Sequence, residues 1–390
     1  MYKNKILVLG AGYGGLSFLK NLAQTTLNNC EVTLINQNSY HYHSALLHKV
    51  ASGECKNRAI YELNEVLDDR INLVVDSVVD IKKNMVITVH GEYIFDYLVI
   101  SLGYSIEDFG IIGVNKLHSL SNYESSLSLK EEIYEKINNY KFTNDKKDLS
   151  FIICGGGLSG IELAGSLSNE LKKYVRKIGI DERELNICIV EALPDILSIY
   201  DQKLRNTAKK KLESMGIKVY VNSKITSVSW DEIEIEYFGK LKANTIIWTA
   251  GTKGNVLVKN LHFKQNRSRI EVDEYLHPIT GEKNIFAIGD NSSFILENGK
   301  AHIQSAQISL KMGKYVATSL ESMINSQNNI EKFSFKSLGS VCSIGYGYAV
   351  GKVLGFKVSG YFGHIMKVLI ERKWDFILDN LKGLFKNDND

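Results

Sequence analysis

The chain has 390 residues, 44% apolar and 23% charged, the proportions of a folded protein and not of a disordered, collagen-like or bare coiled-coil one. With 47 basic against 44 acidic residues the net charge is +3, which argues against a nucleic-acid binder. At roughly 100–200 residues per domain the length predicts two or three domains. Five cysteines, none closely paired, argue against a zinc ribbon or a disulfide framework and fit a reducing compartment.

The first apolar run, Ile6-Leu7-Val8-Leu9, does not alternate, as expected for a strand buried on both faces of a parallel sheet. It is too short for a signal peptide and ends in a glycine loop, Gly10-Ala11-Gly12-Tyr13-Gly14-Gly15. A helical pattern through Leu16, Leu19 and Leu22 follows, then a strand, Val32-Thr33-Leu34-Ile35, that stops at Asn36. Strand, glycine loop, helix and strand make the βαβ unit that binds a dinucleotide. Farther on, Leu98–Ser101 reads as a strand, and Ser121-Asn122-Tyr123-Glu124 as a capping box opening a helix to about residue 140.

The βαβ pattern then recurs 145 positions after its first copy. Phe151-Ile152-Ile153-Cys154 runs into Gly155-Gly156-Gly157-Leu158-Ser159-Gly160, a helix begins at Ile161, and a strand, Ile187–Val190, stops at Glu191. Further strands are expected at 218–221, 245–248 and 284–288, a helix at 303–324, and short antiparallel strands from 334 to about 357. From Tyr361 to Lys386 the period is helical. Met366, Ile370, Trp374, Ile377, Leu381 and Phe385 fall on one stripe, with Lys or Arg at 367, 372, 373, 382 and 386. That is an amphipathic helix with basic edges, suited to lie on a lipid surface or to pack on the protein's own core. No apolar run reaches the roughly 18 residues that a membrane-spanning helix needs.

Each glycine loop has the strand before it and the helix after it that a phosphate cradle requires. Glycine lets the backbone turn tightly and a pyrophosphate approach, and the helix N-terminus offers its N–H groups. In the second loop the cradle residues are Gly155, Gly157 and Gly160. Glu191 stands where an acid takes the ribose diol and repels a 2′-phosphate, so the second site is expected to prefer NADH to NADPH. Asn36 holds the matching place in the first site, where an amide bonds the diol more weakly than a carboxylate would. Asp290 ends a late strand, as a ribityl partner or as an N-cap. Glu162, early in the second glycine helix, reads from position alone as compensation of the helix macrodipole. His41, His43 and His48 cluster, but no pattern completes a metal site around them.

Two dinucleotide motifs with Thr249-Ala250-Gly251 and Ile288-Gly289-Asp290 after late strands resemble the two-dinucleotide-binding flavoprotein reductases. Asn36–His43, Phe109–Gly113, Ile247–Gly251, Ser305-Ala306-Gln307 and Leu338–Gly345 with the amphipathic tail resemble, more narrowly, the type II NADH dehydrogenases. The resemblance implies an α/β fold of two Rossmann-like domains, the second inserted in the first, with a C-terminal domain of short strands and a helical tail. The bounds expected are 1–117 and 250–325 for FAD, 118–249 for NADH and 326–390 for the C-terminal domain.

The resemblance further implies non-covalent FAD on Gly10, Gly12, Gly14, Gly15, Asn36, Gln37, Val78, Asp290, Ala306 and Gln307. It makes Glu162 the carboxylate near nicotinamide and isoalloxazine, and puts quinone near Gln307 and Lys367. The activity implied is hydride transfer from NADH to flavin, then reduction of a membrane quinone without proton pumping. The enzyme would sit peripherally on the cytoplasmic face of the cell membrane, with homodimerisation open. Two departures stand out: Leu158-Ser159 in the second loop, and Lys311 where the family's AQxxxQ pattern has its second glutamine. A sulfide:quinone oxidoreductase and a non-catalytic NADH sensor are the alternative readings. Cys154 and Cys342 read as buried structural thiols.

Overall fold

Unbroken apolar runs become strands buried from both faces, and each glycine loop turns one of them into a helix. The computed structural model describes residues 3–385 except 56, 297, 298, 300, 328 and 329, with the backbone alone for 380–385. The chain divides into two compact units, each assembled from separate stretches.

The first unit comprises residues 1–41, 60–105 and 252–337. Its five-stranded parallel sheet runs Ile285–Ala287, Tyr97–Ile100, Lys5–Leu9, Glu31–Asn36 and Ile71–Val75 in spatial order. The central strand is flanked in register, with Ile6 opposite both Val32 and Tyr97. The helix Tyr13–Lys20 packs against the helix Ala306–Ile324, where Gly313 leaves room for the Gly14 carbonyl. Strands Val78–Ile81, Met85–Thr88 and Glu92–Ile94 form a small antiparallel meander.

The second unit comprises residues 42–59, 106–251 and 338–390. Its parallel sheet runs His118–Ser119, Thr245–Trp248, Ser150–Cys154, Asn186–Val190 and Lys218–Tyr220. The long helix Leu158–Lys177 follows its glycine loop and buries Ile161, Leu163, Leu167 and Leu171. The antiparallel strands Gly339–Ser343, Ala349–Val353 and Phe356–Ser359 lead into the helix Gly360–Phe385. Residues 338–390 therefore share a unit with the second glycine loop, and residues 252–337 with the first. No described helix is long and apolar enough to cross a membrane.

Two local expectations need correction. The helix expected after Ser121 spans Tyr123–Thr143, and its capping box lies one residue later than expected: Ser125 N–H donates to Asn122 Oδ1, and Asn122 N–H to Ser125 Oγ. The tail is helical, but its inner face is not the apolar stripe reversed. Trp374 is buried and Met366 packs on Val341, Ala349 and Val358, whereas Ile370 is 46% exposed. Ile377 is half-buried, and the side chains of Leu381 and Phe385 lie outside the described residues. The face turned outward carries Phe362, Ile365, Leu369 and Phe376, and the face turned inward carries Lys367, Glu371 and Asp375. The buried Trp374 and Leu378 flank that charged set, so the inner side of the helix mixes apolar and charged groups.

Candidate active site

Gly10 and Gly155 open the two loops with φ of +94° and +119°, a left-handed backbone that a side chain would strain. Gly12 and Gly157 then start the helices. Neither helix has a side-chain cap or an acidic residue in its first turn, and nothing lies within 4 Å of where a Cβ on either glycine would stand. Open space before an uncapped helix N-terminus fits a pyrophosphate. Gly15 and Gly160 serve closeness: a Cβ on either would collide with the carbonyl oxygen of Gly10 or Gly155.

In each unit a strand-end side chain grips the loop. Asn36 Oδ1 accepts from Ala11 N–H at 2.8 Å, and its Nδ2 donates to the carbonyls of Asn38 at 2.7 Å and Tyr40 at 3.4 Å. Glu191 Oε2 accepts from Gly156 N–H at 2.7 Å, and Oε1 from Leu193 N–H at 2.8 Å. Each acceptor oxygen keeps a lone pair for a ribose hydroxyl. Asp290, half-buried after the strand Ile285–Ala287, has its carboxyl pushed up by burial, with Arg269 opposing. A partly desolvated carboxyl there suits a hydroxyl donor such as the ribityl chain of FAD. Ala306 and Gln307 occupy the first turn of a helix capped by Ser305, whose Oγ accepts from Ile308 N–H. Gln37 follows Asn36 directly, and Val78 opens the meander. Lys311, in the next turn, is exposed.

Glu162 and Lys367 meet within the second unit. Lys367 Nζ lies 2.8 Å from Glu162 Oε1, and the same oxygen accepts from Ser343 N–H at 3.1 Å and Ser343 Oγ at 3.3 Å. Glu162 Oε2 faces His48 Nδ1 at 3.8 Å. Burial works against the charge on Glu162, yet Lys367, His48 and Ser343 outweigh it and hold the carboxyl below its ordinary value. Burial also opposes the charge on Lys367, and Glu162 and Glu371 more than restore it. This is an ionised pair and not a carboxylate that merely faces a helix dipole. Cys342, next to Ser343, is fully buried with its thiol near the Leu158 carbonyl, and burial raises it strongly. Cys154 is buried likewise.

The histidines separate by role. His41 Nδ1 bonds the Ala11 carbonyl at 2.7 Å in the first unit, and burial holds the ring down to about 4. His43 and His48 belong to the second unit, beside Asp375 and Glu162. Sequence reasoning missed Ser343, Lys49, Arg58, Glu371 and Asp375. One signal was available: Lys367, Glu371 and Asp375 recur every four residues and so fall on one face of the tail helix.

Comparison with known proteins agrees with these features. The family model for pyridine nucleotide-disulphide oxidoreductases matches residues 4–313. Curated proteins named type II NADH:quinone oxidoreductase from Staphylococcus aureus and Staphylococcus epidermidis are 33% and 32% identical, each covering 98% of both chains. Among solved structures, NDH2 from Plasmodium falciparum in complex with NADH superposes with a TM-score of 0.89 at 21% identity, over 98% of this chain and 96% of that one. The sulfide:quinone oxidoreductase of Aquifex aeolicus shares the fold at 0.78 and 17% identity, over 97% and 92%. Two glycine cradles and near-complete coverage by named relatives place this chain in the type II NADH:quinone oxidoreductase family.

Proposed function

We propose that this FAD-dependent NADH:quinone oxidoreductase binds FAD at the first glycine loop and NADH at the second, with Glu191 on the adenosine ribose. Bound FAD supplies the redox chemistry, taking hydride from NADH and passing two electrons to quinone. The chain's own residues orient and protonate. Gly10, Gly12, Gly14, Gly15, Asn36, Gln37, Val78, Asp290, Ala306 and Gln307 hold the flavin nucleotide. Gly155, Gly157 and Gly160 cradle the NADH pyrophosphate. Reduction of quinone by NADH takes up one proton from solvent, and the Glu162–Lys367 pair holds a transferable proton on Lys367 Nζ. Lys367 serves a quinone carbonyl. The single observation that carries the reading is the pair of open, uncapped cradles, one closed by an amide and the other by an acid.

The quinone is lipid-soluble, and the outward face of the tail supports attachment to the surface of the cell membrane. Phe362 and Leu369 are 61% and 57% exposed on it, and Phe356 at the preceding hairpin is 75% exposed. Apolar side chains at such positions enter the headgroup boundary. One experiment tests both halves. Purified protein should be yellow, and anaerobic NADH should bleach the flavin faster than NADPH does. Quinone in anionic liposomes should restore the colour, and L369E should keep FAD but restore it more slowly and bind the liposomes less. A colourless protein that takes up no FAD overturns the reading, and liposome binding unchanged in L369E overturns the lipid face.

A further inference from the structure

The inner face of the tail helix carries charge into the core. Lys367, Glu371 and Asp375 stand four residues apart and are buried, Asp375 completely. Glu371 is the hub, with Lys49 Nζ at 3.3 Å, Lys367 Nζ at 3.5 Å and Arg58 Nη2 at 3.9 Å. Arg58 also forks onto Asp375 Oδ2, at 3.0 and 3.2 Å. With the Glu162–Lys367 pair the buried set among the described residues holds three cations, Lys49, Arg58 and Lys367, against three anions, Glu162, Glu371 and Asp375.

Among the described residues, further titratable groups border the set. His48 faces Glu162, and burial pushes its ring down to about 4, so it is neutral near neutral pH. His43 stands 4.0 Å from Asp375. Burial raises the Cys342 thiol and the Tyr200 hydroxyl, so both stay protonated. At the rim, Glu54 lies 3.7 Å from Lys49 and Arg372 lies 3.8 Å from Asp375, an acid and a base that offset each other.

We propose that Lys49 and Glu371 are positioning residues for the quinone reaction: their mutual pairing keeps the buried set neutral and so keeps Lys367 seated as a cation on Glu162. The inference rests on the reading of Glu162 and Lys367 given above. Physically, removing one member of a balanced buried set leaves an uncompensated charge that its neighbours feel at low dielectric. Loss of Glu371 leaves an excess positive charge, so Lys367 gives up its proton at lower pH. Loss of Lys49 leaves an excess negative charge, so Glu162 and His48 take up protons at higher pH. Removing both restores neutrality.

The test compares E371Q, K49M and K49M/E371Q as FAD-loaded full chains. In E371Q kcat with a soluble quinone should fall toward alkaline pH sooner than in the wild type, and in K49M the acid limb should move up by about one unit or more. The double variant should return close to wild type. A second readout needs no turnover: in imidazole nitrogen NMR of the resting protein, His48 should titrate higher in K49M and return in the double variant. Single variants that fail to fold beside a folded double variant support the balance. Unmoved limbs, a double variant shifted as far as E371Q, or a double variant that does not fold overturn it. If the wild type reduces no quinone, the assigned reaction fails, and the NMR arm still decides the charge balance.

Discussion

The two glycine loops share a backbone plan and differ in the group that locks them. In the first unit Asn36 divides its amide, accepting from the loop at Ala11 and donating to the carbonyls of Asn38 and Tyr40. In the second, Glu191 spends both oxygens on N–H donors, at Gly156 and Leu193. The amide therefore ties the loop to the following turn, and it can do so because half of it is a donor. The carboxylate can only accept, so it gathers amides and leaves a negative edge where the ribose is proposed to bind. The lesson is that the residue at the strand end builds the loop before it meets a nucleotide.

Steric replacement should break the comparison most sharply. A methyl on Gly15 or Gly160 collides with the loop's own first carbonyl, at a cost of roughly 1–3 kcal/mol, up to about a hundredfold in affinity. G15A should then purify with depleted FAD, seen as lost absorbance near the flavin bands. G160A should stay yellow and need far more NADH to bleach. FAD retained in G15A, or unaltered NADH dependence in G160A, would show that the loops do not serve the two nucleotides separately.

Glu191→Ser comes next. It removes a ribose contact, a repulsion of the 2′-phosphate and two loop anchors. NADH kcat/KM should fall about tenfold or more, or 1–3 kcal/mol, while NADPH gains relative to it. An unchanged NADH/NADPH ratio would remove Glu191 from the ribose. The smallest effect is expected for N36D. Restoring an acid at the first site faces a carboxylate toward the Asn38 and Tyr40 carbonyls, so FAD should bind a few-fold more weakly, about 1 kcal/mol, measured by reconstituting the stripped protein. Tighter binding in N36D would mean that the two loops are locked alike.

Both loops were legible because glycine spacing between buried runs leaves a pattern that needs no tertiary information. The strand-end places of Asn36 and Glu191 were legible too, since strand ends fall where the apolar runs stop. What the side chains there do first was not, because the reach of Asn36 to Tyr40 depends on how the turn folds back. The tail shows the same boundary from the other side. Its helical period was plain, but the stripe through Ile370 and Trp374 mixes an exposed residue with a buried one. Hydropathy ranks Lys367 and Glu371 as surface residues, while Lys49, Arg58 and Glu162, distant in sequence, make an interior for them.

The interrupted layout of the first unit has a consequence for synthesis. Its sheet needs the strand Ile285–Ala287 at one edge, and its first glycine helix needs the partner Ala306–Ile324. The second sheet is complete between His118 and Trp248. As the ribosome releases the chain from its N-terminus, the second sheet can close while the first still waits for an edge and a cover. The nascent N-terminal third must therefore hold an open apolar sheet in the meantime, and there a chaperone has the longest opportunity to act.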